Sequence, residues 1–245
     1  MSSRNQGFYP PEYTDRSRSV LNRVHSAVPD AVLIGGWATW VRTGGPMSHD
    51  IDLIVTRPQL ELIKEMTDDF SKSRHLGGRK WRATLDDIHI DLYVPFDSRL
   101  GQHLQLRTEV LVRKQEIVDG WVLLDLPGHI ATKFAALIDR PESNPGEKDR
   151  LEILDLLAQG VDSAEAVQAL HAASTLSSQE VTQLIVKAFS YLGDLQIGRD
   201  QRKHLNELGV QWQEQSIKRQ LHDLSKVGTV PPEHDRQRRG PGLGL

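Results

Sequence analysis

One stretch of sequence decides the fold of this chain: Val32-Leu-Ile-Gly-Gly-Trp-Ala-Thr-Trp-Val-Arg-Thr-Gly-Gly-Pro-Met-Ser-His-Asp-Ile-Asp-Leu-Ile-Val55. Its apolar opening, residues 31–34, predicts a buried strand that ends at a glycine pair. Residues 37–42 predict a short helix, and residues 50–55 predict a second strand that begins with Asp50 and Asp52. Side chains two apart on a strand point to the same side of the sheet, so we expect both carboxylates to face one point.

Two carboxylates held this close repel each other unless a cation lies between them. A hard divalent ion is the natural partner, and with phosphate ligands that ion is usually Mg²⁺. An isolated Asp-x-Asp pair is more often a solvated strand end, and a glycine pair alone usually marks a turn. Here, however, Gly35 and Gly36 lie between a strand and a helix, where backbone N–H groups can receive an anion. Ser48 adds a hydroxyl that can reach the same phosphates.

A third carboxylate, Asp91, lies in the alternating segment His89-Ile-Asp-Leu-Tyr-Val94. Residues 81–85 and 88–94 predict a hairpin around Asp86-Asp87. If the second hairpin strand lies beside residues 50–55, Asp91 reaches the same metal site. Two carboxylates that hold metal and one near an incoming hydroxyl, which accepts its proton, suit nucleotidyl transfer. We therefore predict Asp50, Asp52 and Asp91 as the catalytic and metal-binding residues, with Mg²⁺ as cofactor.

The rest of the chain divides into a mixed first half and a helical second half. Pro10-Pro11 predicts irregular structure over residues 1–13. Helical periodicity is found at 14–28, 58–70, 128–139, 147–159, 163–173, 178–192 and 212–226, and further strands are predicted at 110–112 and 121–124. The pattern predicts an α+β fold: a catalytic domain over residues 1–126 with a mixed sheet flanked by helices, an all-helical domain over 127–227, and a disordered tail over 228–245.

Composition excludes several classes of function. The chain has 245 residues and no cysteine, which removes disulfides, thiolate metal sites and cysteine nucleophiles. With 30 basic against 33 acidic residues, it cannot hold nucleic acid by bulk charge alone. No histidine pair has the helical spacing of a zinc site. No apolar run approaches about 20 residues, and the first 13 residues contain no signal-peptide core, so we expect a cytoplasmic protein without a membrane partner.

The glycine pair, a spacer of 13 residues, Asp-Ile-Asp and a later strand aspartate together resemble the nucleotidyltransferase superfamily, which has the polymerase-β-like fold. The resemblance implies a nucleoside triphosphate (NTP) substrate. It also implies that Gly35 and Gly36 are the glycine signature, that Asp50 and Asp52 hold Mg²⁺, and that Asp91 is the third acidic residue.

Residues 126–140 and 147–157 are similar to the AbiEii-type and mycobacterial toxin nucleotidyltransferases. That resemblance implies an RNA 3′ end such as tRNA as acceptor and a cognate antitoxin as partner. It implies nucleotide-binding roles for Arg42, Ser48 and Lys133, and a place near the active site for Asp149. The loop at 141–146 departs from the family pattern and leaves Asp155 as a rival to Asp149. A lysine whose stem lies along an apolar helix face is the alternative interpretation of Lys133.

Two other functions stay open. The segments Gly35-Gly-Trp-Ala and His49-Asp-Ile-Asp resemble the adenylyltransferases that inactivate aminoglycoside and lincosamide antibiotics, although Trp37 can equally be a packing residue and His49 points away from Asp50 in a regular strand. The other alternative is a catalytically silent nucleotide-binding or antitoxin-like module. The basic residues between Lys64 and Arg82 either line a groove for RNA or form a solvated surface.

Overall fold

The computed structural model describes residues 8–73 and 80–227, except for the side chains of residues 226 and 227. The helices are α1 (Pro11–Ala27), α2 (Gly35–Thr43), α3 (Arg57–Met66), α4 (Thr108–Leu111), α5 (Leu126–Asp139), α6 (Asn144–Leu157), α7 (Ser163–Ala173), α8 (Ser178–Gly193) and α9 (Arg199–Val227). The strands are β1 (Val32–Ile34), β2 (Ile51–Ile54), β3 (Asp69–Ser73), β4 (Lys80–Leu85), β5 (Ile88–Tyr93), β6 (Arg99–Leu100), β7 (Leu106–Arg107), β8 (Gln115–Val118) and β9 (Trp121–Leu124).

Seven of these strands form one mixed sheet in the order β3-β4-β5-β2-β1-β9-β8. The β2–β5 and β1–β9 pairs are parallel, and the other neighbours are antiparallel. β6 and β7 pair separately. The parallel pairing of β2 with β5 matters most for function, because it places the predicted carboxylate strands side by side.

Each face of the sheet is covered by its own hydrophobic cluster. The first, here called the α1 cluster, joins α1, Trp37 and α3 to one face of the sheet through Leu33, Ile51, Leu53, Ile90 and Leu92. The second, here called the Trp212 cluster, joins helices α5 to α9 to the other face through Val32, Ile34, Ile54 and Tyr93. Alternation along β2 explains the division, since Ile51 and Leu53 point to one face while Asp52 and Ile54 point to the other.

The α+β fold class is confirmed, as are the 81–85/88–94 hairpin and the strand at 121–124. The prediction of irregular structure over residues 1–13 was wrong for residues 11–13, because a proline is well accommodated in the first turn of a helix and α1 begins at Pro11. Residues 1–7 lie outside the described residues. The strand at 110–112 was also wrong, since α4 occupies that position. Helix α3 ends at Met66, and the last two residues of the predicted helix, 69 and 70, lie in β3.

Residues from both sides of position 126 contribute to the Trp212 cluster. The division of the chain into two domains at that position therefore stays a prediction. The tail at 228–245 lies outside the described residues. Among the helices of the described ranges, none combines the length and the apolar character that crossing a membrane requires.

Candidate active site

A cavity of about 430 Å³ opens where the start of β2, the N-terminus of α2, and helices α5 and α6 meet. Eight of the nine residues predicted from the sequence line it: Gly35, Gly36, Ser48, Asp50, Asp52, Asp91, Lys133 and Asp149. These residues span more than 100 positions of sequence, and the sheet and the α5–α6 pair bring them together. Asp155, the rival of Asp149, is not among the lining residues.

The three carboxylates meet as the spacing predicts. Asp52 and Asp91 are direct partners in the parallel β2–β5 register. Asp50 lies just before β2, where its Oδ1 accepts a hydrogen bond of 2.8 Å from the Ser48 hydroxyl. The Nδ1 of His49 lies 3.8 Å from the same oxygen.

The electrostatics of the pair favour a bound cation. Burial, with the nearby charges of Asp50 and Asp91, raises the pKa of Asp52 to about 8. Burial also acts to raise the pKa of Asp50, but His49, the Ser48 hydrogen bond and Lys148 outweigh it, so this pKa lies below its ordinary value. A cation bound between the two would relieve the repulsion. Two carboxylates together with substrate phosphates are a usual donor set for Mg²⁺, so Asp50 and Asp52 fit this ion.

Asp91 has a different environment. Its Oδ2 accepts from the ammonium of Lys80, and its Oδ1 accepts from Arg82 Nε at 2.9 Å. Lys80 is only 6% exposed and also lines the cavity. Within residues 8–73 and 80–227, no three acidic or histidine side chains are arranged so that they could hold a metal ion together. Asp50 and Asp52 are therefore better placed than Asp91 to be metal ligands.

The glycine pair has a direct steric role. Gly35 has a φ of +70°, and a Cβ at this position would lie 2.3 Å from Oδ2 of Asp52. A Cβ on Gly36 would lie 2.6 Å from Nζ of Lys148 and 2.7 Å from Oγ of Ser48. The pair thus lets the start of α2 approach the carboxylates. Ile34, the N-cap residue of α2, provides no side-chain cap, so the first N–H groups of the helix can receive an anion.

Helices α5 and α6 bring a buried ion-pair network to the opposite wall. Lys133 Nζ bonds Asp149 Oδ1 at 3.1 Å and also bonds Glu152. Lys148 Nζ lies 2.9 Å from Oε1 of Glu152, and Arg140 Nε donates to Oδ2 of Asp149 at 2.8 Å. Burial acts to lower the pKa of Lys133, but Glu152 and Asp149 outweigh it and hold this pKa above its ordinary value. These three cations face two carboxylates within the network, and Asp139 of α5 adds a third carboxylate to the cavity lining, so this wall is rich in cations without a net positive charge.

Arg42 is the predicted nucleotide-binding residue that the structure places elsewhere. Its Nη2 donates to the carbonyl of Leu124 at 2.7 Å and lies 2.6 Å from Oε1 of Glu116. Its Nε faces Nδ1 of His129 at 3.4 Å. These contacts tie α2 to the β8–β9 hairpin, and Arg42 does not line the cavity. The geometry therefore indicates a structural role for this side chain.

Several residues in or beside the cavity were not predicted as site residues from the sequence. Lys148 directly precedes the predicted Asp149, so the Lys-Asp pair already contained a signal for it. Arg82 lies opposite Asp91 in a hairpin centred on Asp86-Asp87, so the hairpin register alone would have paired them. Tyr9 had no such signal. Its ring packs on His49 at a centroid distance of 4.0 Å, and burial together with Asp50 raises its pKa to about 12.

A comparison with models of protein families finds no match, and neither does a comparison with curated proteins. Among solved structures, the chain is similar to an antigenic nucleotidyltransferase-like protein from Paracoccidioides brasiliensis, at 14% sequence identity and a TM-score of 0.43. The similarity covers 81% of this chain and 92% of that chain. It is too distant to assign a function, which has to be argued from the cavity itself.

Proposed function

We propose that this chain is a Mg²⁺-dependent nucleotidyltransferase that transfers a nucleoside monophosphate from an NTP to an acceptor hydroxyl. The observation that carries the proposal is the meeting of Asp50, Asp52 and Asp91 with the open N-terminus of α2 and the lysine and arginine side chains of α5 and α6 in one cavity. An acidic centre beside two separate anion-binding elements suits a metal-bound triphosphate.

The triphosphate would lie between α2 and the α5–α6 wall. Backbone N–H groups at Gly35 and Gly36 would receive one end, together with the Ser48 hydroxyl. Lys133, Lys148 and Arg140 line the opposite side of the cavity. Because Asp149 and Glu152 hold these three cations, each is already oriented before the substrate arrives, which limits the reorganisation that binding requires.

Asp50 and Asp52 would hold the Mg²⁺, which when bound neutralises the triphosphate and orients it for in-line attack. The acceptor oxygen forms a bond to the α-phosphorus while the bond from that phosphorus to its bridging oxygen breaks. Pyrophosphate leaves with the electron pair of the broken bond. Asp91 accepts the proton of the acceptor hydroxyl on a lone pair that its two existing partners leave open.

For the acceptor, we propose an RNA 3′ end such as tRNA, following the resemblance to toxin nucleotidyltransferases. Cationic and aromatic side chains pack together around β3 and β4, a combination that suits single-stranded nucleic acid, but they lie on the face of the sheet that carries Leu92, opposite Asp91, so the proposed RNA acceptor rests on the resemblance alone. Lys72 Nζ lies 5.5 Å from the Trp81 ring, and Lys64 Nζ lies 5.9 Å from the Phe70 ring. Arg74 and Arg79, which belong to the same basic cluster, lie outside the described residues.

A small-molecule hydroxyl is the second candidate acceptor, and the position of His49 favours it. This residue, part of the segment that resembles antibiotic adenylyltransferases, lines the cavity beside Asp50. Its side chain is 43% exposed and faces Asp50, instead of pointing away from it as in a regular strand.

One experiment tests both acceptors. The protein is incubated with Mg²⁺ and each α-labelled NTP, with either total tRNA or a panel of aminoglycosides and lincosamides. Asp52→Asn is expected to abolish transfer, whereas the control Asp87→Asn, whose carboxylate is 92% exposed in the β4–β5 turn, is expected to retain it. Label on RNA supports the first acceptor, and label on a drug supports the second. Absence of transfer together with absence of NTP binding by calorimetry would show that the chain is a silent module or another protein altogether.

A further inference from the structure

We propose that Lys80 takes the place of a second metal ion, so that the reaction runs with a single Mg²⁺ on Asp50 and Asp52. The inference rests on the proposed function and deepens it. Polymerases and related enzymes commonly use two metal ions, which together stabilise the attacking and the leaving oxygens. Here a protein ammonium already occupies the position at the third carboxylate.

The strand register fixes this arrangement. Arg82 is the direct partner of Asp91 across β4 and β5, and Asp91 is the direct partner of Asp52 across β5 and β2. Lys80 lies two residues before Arg82 on the same face of β4, so its long side chain reaches Asp91 diagonally. The ammonium contacts Oδ2, while Arg82 donates from Nε to Oδ1 at 2.9 Å and from Nη2 to Oδ2 at 3.4 Å. Both oxygens of Asp91 are therefore bound by cations that belong to the chain.

Burial makes the contact difficult to exchange for a metal. Lys80 is 6% exposed, and the side chain of Asp91 is 13% exposed. A buried ammonium without its carboxylate carries a large desolvation cost. A metal ion on Asp91 would place two further positive charges against the same ammonium. Asp91 therefore stays paired with Lys80 whether or not Mg²⁺ binds beside it.

The charge balance points to the same number of metal ions. Asp50, Asp52 and Asp91 carry three negative charges when ionised, and Lys80 and Arg82 supply two positive ones. One negative charge remains, which one divalent ion more than offsets. Two divalent ions would leave the carboxylate centre with a net charge of three positive units before any phosphate arrives.

The test counts bound metal ions rather than turnover. Mn²⁺ is titrated into the purified full-length protein, and free Mn²⁺ is followed by electron paramagnetic resonance. We expect one Mn²⁺ per chain in the wild type, two in Lys80→Met, and one again in the double variant Lys80→Met/Asp91→Asn, which lacks the freed carboxylate. Lys72→Met is the matched control, because this exposed lysine on β3 contacts the Trp81 ring, and it should bind one ion.

Asp91→Asn alone gives a second readout if Lys80→Met does not fold. We expect it to bind one Mn²⁺ per chain, as the wild type does, because the single ion lies on Asp50 and Asp52. Two ions in the wild type, or loss of the single ion in Asp91→Asn, would overturn the inference and leave the proposed function intact. Absence of Mn²⁺ binding in every variant would overturn the metal-dependent function itself, and this inference with it.

Discussion

At the scale of single residues, Gly35 ties the fold to the candidate site. Its φ of +70° is a conformation that costs an L-residue about 1 kcal/mol or more. Gly35→Ala adds a Cβ 2.3 Å from Oδ2 of Asp52, so the carboxylate or the helix start must move. Gly44→Ala is a matched control, because its φ is +68° and no described atom lies within 4 Å of the added Cβ.

We expect both alanine variants to lose stability in urea unfolding and Gly35→Ala to lose at least about 1 kcal/mol more than Gly44→Ala. Only Gly35→Ala should also lose Mn²⁺ binding and nucleotidyl transfer, since only it displaces Asp52. Equal losses of stability in the two variants, with metal binding intact in both, would show that Gly35 is needed only for its backbone conformation.

Asp52 gives a residue-scale prediction on pH. Its pKa of about 8 in the folded chain lies above the ordinary value of 3.8, so the native state binds this proton more tightly than the unfolded state does. The contribution to stability is therefore fully present below about pH 4 and is lost as pH rises through about 8. The Tm of the metal-free wild type should accordingly fall across this range relative to Asp52→Asn, which has no carboxyl to ionise.

Between pH 4 and pH 8, the free energy of unfolding of the wild type should fall by more than about 2 kcal/mol relative to that of Asp52→Asn. This loss corresponds to roughly 4 to 8 °C in Tm. Added Mg²⁺ should recover part of this loss in the wild type and none of it in the variant. Differential scanning calorimetry checks both points, with Asp87→Asn as the exposed control. Parallel pH profiles for wild type and Asp52→Asn would contradict the perturbed carboxyl.

At the scale of elements, the ion-pair network between α5 and α6 makes the next prediction. Lys133→Met leaves the buried carboxylates of Asp149 and Glu152 each one cation short. Removing one partner of a buried ion pair typically costs about 3 to 5 kcal/mol, and we expect a loss towards the lower end of this range, because Arg140 still contacts Asp149 and Lys148 still contacts Glu152. Lys203→Met in α9 is the control, since its contact with Glu207 is exposed and is worth no more than about 1 kcal/mol.

Urea unfolding measures both losses. Glu152→Gln should restore part of the stability in the double variant with Lys133→Met, because it removes a charge that the single variant strands. A loss for Lys133→Met no larger than that for Lys203→Met would show that the network is solvated. It would then be a poor candidate for a preorganised phosphate site.

The elements also show what sequence can and cannot predict. β2 and its carboxylates were predictable because an apolar run and an Asp-x-Asp pair are local signals. β3 was not predictable, since Asp69–Ser73 is a polar edge strand without an apolar pattern of its own. Its pairing with β4 holds it in the sheet. Similarly, the contact of Lys80 with Asp91 depends on hairpin register, and the position of Arg42 depends on β9, about 80 residues away.

At the scale of the whole molecule, the cavity depends on the helical second half as much as on the sheet. The sequence predicted Lys133 and Asp149 through a resemblance, but it did not predict that Lys148, Glu152 and Arg140 complete one network with them. Buried charges from two helices pair only after both helices pack on the sheet, and no local pattern records that packing. The same packing joins the two halves through the Trp212 cluster.

This shared cluster predicts that the sheet and helices α5 to α9 unfold together. Phe134 is fully buried, and its ring packs on Trp212 at a centroid distance of 5.2 Å. Phe134→Ala should cost about 3 to 5 kcal/mol. Because Val32 and Ile34 lie in the same cluster, native-state hydrogen exchange should show the same loss of protection in β1 as in α8.

Val210→Ala is the control for that measurement, since its side chain on α9 is 56% exposed and its loss should change exchange by less than about 0.5 kcal/mol. A loss of protection confined to α5 through α9 would instead support two folding units divided near residue 126. In that case the carboxylate site could form without the wall of α5 and α6. The same loss of protection in β1 and α8 would mean that a substitution in the helical half also destabilises β1, the strand that leads into the glycine pair. The stability of the helical half and the geometry of the site would then change together.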